Sequence, residues 1–286
     1  MDPKMKRILI TGAGSYIGTS FDRYIKDNFS NDYILDTVDM TDASWREESF
    51  AGYDSVFHVA GIAHRKETLK NAGLYYEINR DLAIETAKKA KTDGVKQFIF
   101  LSSMSVYGMD TGVITKETPP DPKSHYGRSK YMAEQTLSSL ADGSFAVCIL
   151  RPPMVYGSGC KGNFQKLVKI VKAIPFFPSV KNERSMLYID NLSNFVRLCM
   201  DRNLSGVYFP QNRAYVSTSV MAEQIARTLN MKRFCDPLTG WIAERVCPFL
   251  PAAGKAFGSL VYRDTEDFSF SYVIVENDES FRRSVL

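Results

Sequence analysis

Short apolar runs alternate with longer amphipathic stretches from the start of the chain to Arg151. Each run is rich in β-branched or aromatic side chains and ends at turn residues, a pattern typical of buried strands. The runs are RILIT, ILDTV, SVFHVA, QFIFLSS and FAVCILR, and helices are predicted at NRDLAIETAKKAK and YMAEQTLSSL. This alternation predicts an α/β fold with a doubly wound parallel sheet, which binds ligands at the carboxyl ends of its strands.

The pattern loosens beyond Arg151, where Pro-Pro, YGSGCKGN and PFFP interrupt it. Helices are predicted at Asn191 to Asp201 and at Thr218 to Leu229, and several prolines and glycines follow between Met231 and Gly258. We therefore expect a smaller, mostly helical C-terminal lobe over one edge of the sheet. The predicted boundaries are 1–157 with parts of 186–220 for the sheet domain, and 158–185 with 221–286 for the lobe.

Composition and charge narrow the class of protein. Apolar residues make up 44% and charged residues 24% of the 286 residues, as in ordinary globular proteins. The formal net charge is +4, and Lys and Arg are interspersed with Asp and Glu, which gives no indication of nucleic acid as a partner. No apolar run is long enough to predict a membrane span, and the apolar run in MDPKMKRILITG is too short for a signal peptide.

The cysteines indicate a reducing environment. There are five of them, an odd number, and no two form a C-x-x-C pair; they are Cys148, Cys160, Cys199, Cys235 and Cys247. Neither a disulfide framework nor a zinc site is expected from this spacing. Reduced thiols in the cytoplasm fit best.

Two motifs follow predicted strands. ITGAGSYIG, at Ile10 to Gly18, follows the first strand and opens a helix, which is the context that a dinucleotide-binding loop requires. Its glycines let the backbone approach a pyrophosphate, and the helix N-terminus offers free N–H groups, although glycine also simply makes tight turns. LSSMSVYG, at Leu101 to Gly108, ends the fourth strand, where its serines either meet a ligand or merely cap the strand end.

A third motif, YGRSK, places Tyr126 and Lys130 four residues apart at the start of a predicted helix. Positions i and i+4 lie on one helix face. An ammonium beside a phenol favours the phenolate and lowers the pKa of the tyrosine, one way to obtain a proton-transferring tyrosine near neutral pH. Taken alone, the pair also fits an ordinary solvated helix face.

Together, in this order, the three motifs resemble the extended short-chain dehydrogenase/reductase family, whose sheet is the Rossmann fold. The resemblance extends to VFHVAG at Val56 to Gly61, to Asn79 in YEINRDLAIETA, to LRPPMVYG at Leu150 to Gly157 and to RSMLYIDNL at Arg184 to Leu192. It is closest to nucleotide-sugar epimerases, dehydratases and reductases. An NAD(P) cofactor, a nucleotide-sugar substrate and no metal are implied.

The resemblance implies a role for each motif residue. Tyr126 would be the general acid/base at a sugar hydroxyl, Lys130 would hold the nicotinamide ribose, and Ser103 would bond the reacting oxygen. The cofactor would contact Gly12, Gly14, Ser15, Tyr16, Ile17, Gly18, Asp39, Met40, Ala60, Gly61, Asn79, Ser102, Tyr126, Lys130 and Pro153. The substrate would contact Ser105, Lys161, Asn163, Phe164 and Arg184, although Lys161 and Arg184 also fit ordinary surface charges.

Two departures from the family bear on the cofactor. Ser15 stands where the family usually has its middle glycine. The segment between the first helix and VFHVAG is short, and by its distance from VFHVAG, Asp39-Met40 matches the adenine-side element of the family's third strand. The residue that reads the adenosine ribose is therefore either missing or folded into this one strand. A carboxylate there, Asp36 or Asp39, favours NAD over NADP as the cofactor, and NADP is the alternative.

Two reactions at carbon 4 of a nucleotide-linked, UDP-type sugar compete: a 4-epimerase and a 4-ketoreductase. The RPPMVYG segment favours reduction, because UDP-galactose epimerases usually read R-Y-F-N there, and Met104-Ser105 replaces the acidic pair typical of dehydratases. The alternative to an enzyme is a dinucleotide-binding redox sensor or scaffold, a class that typically lacks the tyrosine or the lysine. Relatives often pair as homodimers through two helices, here within Leu74 to Lys91 and Tyr126 to Leu140.

Overall fold

The structure is a computed structural model that describes residues 5–63, 65–174, 176–231, 234–236, 257–265 and 270–285, without the side chains of 176 and 234–236. Cys247, the thiol of Cys235 and most of the segment from Met231 to Gly258 lie outside the described residues. The chain forms two compact units. The first contains residues 1–108, 120–152 and 192–210, and the second contains 109–119, 153–191 and 211–286.

The first unit is built on a six-stranded parallel sheet with strand order β10-β6-β4-β3-β1-β2. Its strands are β1 (Lys6–Thr11), β2 (Tyr33–Val38), β3 (Ser55–His58), β4 (Gln97–Leu101), β6 (Ala146–Leu150) and β10 (Gly206–Tyr208). The five predicted apolar runs are therefore confirmed as strands. The sixth strand, β10, is three residues long and was not among those predicted.

The helices of the first unit pack against this sheet. They are α1 (Tyr16–Phe29), α2 (Ala72–Tyr76), α3 (Leu82–Thr92), α4 (His125–Ser138) and α6 (Ile189–Asp201), whose residues from Leu192 onward belong to this unit. One turn of π-helix, Glu77–Asp81, joins α2 to α3. The predicted doubly wound α/β fold is confirmed.

The core of the first unit explains why its strands read as continuous apolar runs. Val56, Phe98 and Ile149 lie on three neighbouring strands, and all are buried in one cluster with Ala87 of α3 and Leu137 of α4. A strand that helices cover on both faces has no exposed side, so its side chains do not follow the apolar–polar alternation of a half-exposed strand. Each side chain of this size that leaves water contributes about 1.5–3 kcal/mol to folding.

Strand β2 forms the edge of the sheet and pairs directly with β1, with Val38 beside Thr11. The match of Asp39-Met40 to a third strand is therefore wrong, because the strand that precedes Asp39 is the immediate neighbour of β1. The chain then makes a short 3₁₀ turn, Ala43–Arg46, whose buried Trp45 stacks on Phe50. The single strand β2 takes the place of the family's second strand, and Asp39 follows its end.

The second unit combines helices with short strand pairs in the residues that the structure describes. Its elements are β5 (Gly112–Ile114), β7 (Met154–Tyr156), α5 (Asn163–Ala173), β8 (Phe176–Pro178), β9 (Met186–Tyr188), α7 (Thr218–Thr228), β11 (Phe234–Asp236), β12 (Leu260–Tyr262) and α8 (Asn277–Val285). The strands pair as β5 with β12, β7 with β9 and β8 with β11. Strand β7 lies within the predicted boundary of the sheet domain, but it pairs with β9 instead of joining the large sheet.

Helix α5 was not predicted, although its pattern is present in the sequence. Phe164, Leu167, Val168 and Val171 recur at helical spacing, and all four are buried. The Gly-rich YGSGCKGN and the PFFP segment on either side of it interrupt the pattern of the sequence. None of the described helices has the length and apolarity to cross a membrane.

Candidate active site

The loop between β1 and α1 has the conformation that close approach of a ligand to its backbone requires. Gly12 has φ of +100°, and a Cβ added there would lie 2.9 Å from the backbone of Ala60, so only glycine fits. Gly14 has φ of +72°, and a Cβ there would meet nothing within 4 Å, which leaves one side of the loop open. This open backbone at a helix N-terminus fits a pyrophosphate.

Ser15, which replaces the family's middle glycine, is the N-cap of α1. Its backbone is in an ordinary extended conformation, and its Oγ accepts a hydrogen bond from the Gly18 N–H at 3.2 Å. The serine therefore adds a cap without strain in the loop. Tyr16 and Ile17 begin the helix, and Gly18 lets α1 pack closely on Ile10 of the sheet.

Asn79 braces the loop that follows β3. Its Oδ1 accepts from the Ile62 N–H at 2.8 Å, and its Nδ2 donates to the Ile62 carbonyl at 3.1 Å and to the Ser129 hydroxyl at 3.3 Å. The π-helical turn aims this fully buried amide inward. A π-turn at such a position is a frequent feature of functional sites. The loop after β3 and helix α4 are thus joined by one amide.

Ser103 and Tyr126 meet at the carboxyl end of β4. Ser103 caps the 3₁₀ turn Met104–Tyr107, and its Oγ accepts from the Ser105 N–H at 3.1 Å. Helix α4 packs so closely on this turn that a Cβ at Gly127 would lie 2.5 Å from the Ser105 carbonyl oxygen. Burial raises the pKa of Tyr126, and a hydrogen bond with Ser103 opposes that rise. The two hydroxyls form a pair that can hold one oxygen and move its proton.

Lys130 lies on the same helix, and the i, i+4 spacing predicts that its ammonium lowers the pKa of Tyr126, whereas that pKa is raised, chiefly by burial. Its Nζ donates to the Leu101 carbonyl at 2.8 Å and lies 4.6 Å from the centre of the Phe100 ring. Burial lowers the pKa of Lys130 itself to about 8, against the opposing effect of the Glu134 carboxylate. The lysine is held at the strand end by a carbonyl, not by the phenol.

A buried polar network lies behind the serines. Glu134 of α4 accepts from the Ser102 hydroxyl and from Arg151, whose Nη2 lies 2.5 Å from Oε2. Arg151 also donates to the Tyr107 hydroxyl at 2.8 Å. This network joins the ends of β4 and β6 to α4. Because the Ser102 hydroxyl is engaged with Glu134, we assign Ser102 to the network.

The second unit holds four of the five residues predicted to meet the substrate, together with Pro153 of the cofactor set, whereas Ser105 lies in the first unit. Arg184 donates to the Gly258 carbonyl at 2.8 Å, and burial lowers the pKa of its guanidinium while Asp110 opposes that shift. Lys161 and Asn163 are exposed, and Pro153 is buried. The Phe164 ring is 1% exposed and stacks on Phe281, so we assign it to the core of this unit.

His58, at the end of β3, was not among the predicted site residues. Its Nδ1 is 2.8 Å from the Thr11 hydroxyl, and its ring stacks on Phe98 and Phe100. Its Nε2 is buried and has no hydrogen-bond partner among the described residues. Burial lowers the pKa of His58 to about 3, and the charge of Lys130 acts in the same direction. The sequence signal was a histidine in an otherwise apolar strand.

His58 is expected to make folding stability fall with acid. Its folded-state pKa of about 3 lies below the ordinary 6.5, so the unfolded chain binds more protons between these values. Stability is full above pH 6.5 and is lost as the pH falls toward 3. Between pH 6.5 and 5, the wild type should lose about 2 kcal/mol more than His58→Asn in urea unfolding. Parallel pH profiles for the two proteins would contradict this assignment.

Comparison with known proteins was made on sequence and on fold. The model of the NAD dependent epimerase/dehydratase family matches residues 8–216. The UDP-glucose 4-epimerase of Vibrio cholerae is 31% identical over an alignment of 285 positions, and the alignment covers 90% of this chain and 84% of that protein. The N-acetyl-alpha-D-glucosaminyl-diphospho-ditrans,octacis-undecaprenol 4-epimerase of Escherichia coli O157:H7 is 27% identical over 243 residues, with coverage of 79% and 73%.

The fold is similar to that of solved enzymes in complex with NAD. The UDP-glucuronic acid 4-epimerase of Bacillus cereus, in complex with NAD, superposes with a TM-score of 0.73 at 18% identity, covering 98% of this chain and 97% of that one. The Bordetella bronchiseptica enzyme WbmG, in complex with NAD, gives 0.76 at 19% identity, covering 99% and 94%. At this level of identity the structures establish a common fold.

Proposed function

The chain belongs to the NAD dependent epimerase/dehydratase family, and from this premise we propose that it is a 4-epimerase of a UDP-linked hexose. The placement of Ser103 and Tyr126 together at the carboxyl end of β4 carries the proposal, because two such hydroxyls can orient one oxygen and move its proton. The 31% identity to a UDP-glucose 4-epimerase over 90% of the chain supports the choice of reaction.

Three residues of the first unit are proposed to have separate roles in the reaction. Ser103 would orient the hydroxyl on carbon 4, Tyr126 in its ionised phenolate form would accept the proton of that hydroxyl and later return it, and Lys130 would donate to the cofactor ribose. A bound NAD would supply hydride acceptor and donor chemistry at the same carbon. Holding the reacting groups in one geometry removes much of the entropic part of the barrier.

Residues of the second unit are proposed to hold the nucleotide sugar. The Arg184 guanidinium is a planar fork that matches phosphate oxygens, and Lys161 supplies a point charge. Asn163 offers an amide at the start of α5. A UDP-linked sugar carries two phosphates, and these cations suit that charge.

The nicotinamide content of the purified protein separates the two candidate reactions. An epimerase returns the hydride and therefore retains its cofactor, so denaturation should release about one NAD per chain, and a UDP-hexose should equilibrate with its 4-epimer. A 4-ketoreductase, which the Pro152-Pro153-Met154 segment favours, should release little and should consume NAD(P)H with a 4-keto sugar. Failure of both assays across a panel of UDP-sugars would reject the proposal.

Asp39 is proposed to set the preference for NAD over NADP. Hydrogen bonds from the backbone and hydroxyl of Thr41 orient its carboxylate and hold the pKa of Asp39 below its usual range, so it is charged. A charged group at the end of β2 repels a ribose 2′-phosphate. Asp39→Asn should shift the ratio of NADP to NAD affinity about tenfold or more toward NADP.

Isothermal titration with each oxidised cofactor, after removal of any bound nucleotide, measures this ratio. Asp42→Asn is the matched control, because Asp42 is a nearby carboxylate that caps the 3₁₀ turn by accepting from the Ser44 N–H at 2.8 Å. The control should keep the wild-type ratio. An unchanged ratio in Asp39→Asn would show that another residue reads the ribose.

We also propose that two copies pair through the segments 74–91 and 126–140. Met132 of α4 is 40% exposed, an apolar side chain that pairing of these helices would cover.

A cytoplasmic location fits the free thiols of Cys148, Cys160 and Cys199.

A further inference from the structure

The first turn of helix α4 is capped by a carboxylate from a distant part of the chain. Glu67 accepts from the His125 N–H at 2.9 Å with one oxygen and from the Tyr126 N–H at 3.0 Å with the other. Ser124 accepts from the Gly127 N–H at 3.0 Å. The N–H groups of a helix's first turn have no partner within the helix, and here those of all its first three residues are paired.

The loop that carries Glu67 is fixed by its own hydrogen bonds. The Tyr75 hydroxyl donates to the Arg65 carbonyl at 3.1 Å. Asn71 accepts from the Thr68 N–H at 2.8 Å and donates to the Lys66 carbonyl at 3.0 Å. These bonds lie on either side of Glu67 along the chain, so the carboxylate is presented by an ordered loop.

The same loop and helix also meet through aromatic rings. Tyr75, whose hydroxyl anchors the loop, lies edge-on to the Tyr126 ring with 6.5 Å between centroids. Tyr126 is therefore held at its backbone N–H by Glu67 and at its ring by Tyr75, while its hydroxyl meets Ser103. A shift of the first turn of α4 would move the phenol relative to Ser103.

We propose that Glu67 is a positioning residue for the proton-transfer step. Its two charge-assisted hydrogen bonds fix the start of α4 and so set the distance between the Tyr126 and Ser103 hydroxyls. Its negative charge also lies at the positive end of the helix dipole, which favours the bound arrangement. The inference rests on the proposed function, since it gives Glu67 a part in the same reaction.

The test compares Glu67→Ala and Glu67→Gln with the wild-type holoenzyme. Alanine removes both acceptors, whereas glutamine keeps one oxygen and the shape of the side chain. We expect kcat to fall about tenfold in Glu67→Ala and less in Glu67→Gln, because small misplacements of reacting groups are costly. KM for the nucleotide sugar and the affinity for NAD should change less than twofold, because Glu67 meets neither in this scheme.

Asp142→Ala is the matched control. Asp142 also accepts from two backbone N–H groups, Ser144 at 2.8 Å and Phe145 at 3.1 Å, but it does so in the loop after α4. Its loss should lower the melting temperature without changing kcat. A fall in kcat as large as that of Glu67→Ala would show that general destabilisation explains both, and would overturn the proposal.

Hydrogen exchange of the backbone amides tests the two hydrogen bonds of Glu67 without any measurement of turnover. The amides of His125 and Tyr126 should exchange at least tenfold faster in Glu67→Ala than in the wild type, while those of α1 stay unchanged. Unchanged exchange at these amides would overturn the proposal. If the wild type turns over no nucleotide sugar, the proposed function fails, while the exchange result still decides whether Glu67 holds the first turn of α4.

Discussion

Replacing Tyr126 by phenylalanine should lower kcat by about 10²- to 10⁴-fold and leave cofactor binding intact. The change removes one oxygen and keeps the ring, which packs against Tyr75. Without the phenol, the proposed reaction loses the group that accepts the proton of the sugar hydroxyl beside Ser103. Steady-state kinetics on a UDP-sugar, together with the nicotinamide released after denaturation, measures both effects.

Tyr131→Phe is the control for this experiment, since Tyr131 lies on the same helix and has no role in the proposed proton transfer. It should keep wild-type kcat. The experiment also distinguishes an enzyme from a dinucleotide-binding sensor or scaffold, because a sensor needs no phenol. Wild-type turnover in Tyr126→Phe would contradict the acid/base assignment.

Replacing Glu134 by alanine should lower the free energy of unfolding by about 3–5 kcal/mol. Arg151 is buried and is bonded to Glu134 through both Nε and Nη2, so the change takes the carboxylate away from a buried guanidinium. The Ser102 hydroxyl also loses its partner. Equilibrium unfolding in urea measures the loss, with the slope compared between the variant and the wild type.

Two further variants test whether the lost stability comes from breaking a buried ion pair. The double change Glu134→Leu with Arg151→Met removes both charges and should cost much less than the single change, because the two members of the ion pair leave the core together. Asp121→Asn breaks an exposed pair with Lys123 and should cost less than about 1 kcal/mol. A loss below about 1 kcal/mol in Glu134→Ala would show that water reaches the Arg151 guanidinium.

Much of the fold was predictable because the first unit obeys simple rules. Parallel strands that are buried on both faces are largely apolar, and this property makes the runs within RILIT and QFIFL conspicuous. The order of the strands beside β1 was harder to predict from the sequence. Counting residues back from VFHVAG assigned Asp39 to the wrong strand, because the chain replaces a strand by a turn around Trp45.

The electrostatics of the site were less predictable than its residues. The spacing of Tyr126 and Lys130 places both on α4, but it does not reveal that the Leu101 carbonyl binds the ammonium. Glu67 was equally hidden, because it lies 58 residues from His125 in a loop with no distinctive motif. Such contacts depend on long-range packing, which local spacing does not encode.

The fate of a deuterium on carbon 4 tests the central claim most directly. A UDP-sugar labelled at that carbon is incubated with the enzyme in ordinary water until it reaches equilibrium with its epimer, and both sugars are analysed by mass spectrometry. If the hydrogen of carbon 4 moves as a hydride that the bound nicotinamide returns, the deuterium should remain in both epimers. Replacement of the deuterium by solvent hydrogen would contradict hydride transfer, and with it the role assigned to Tyr126.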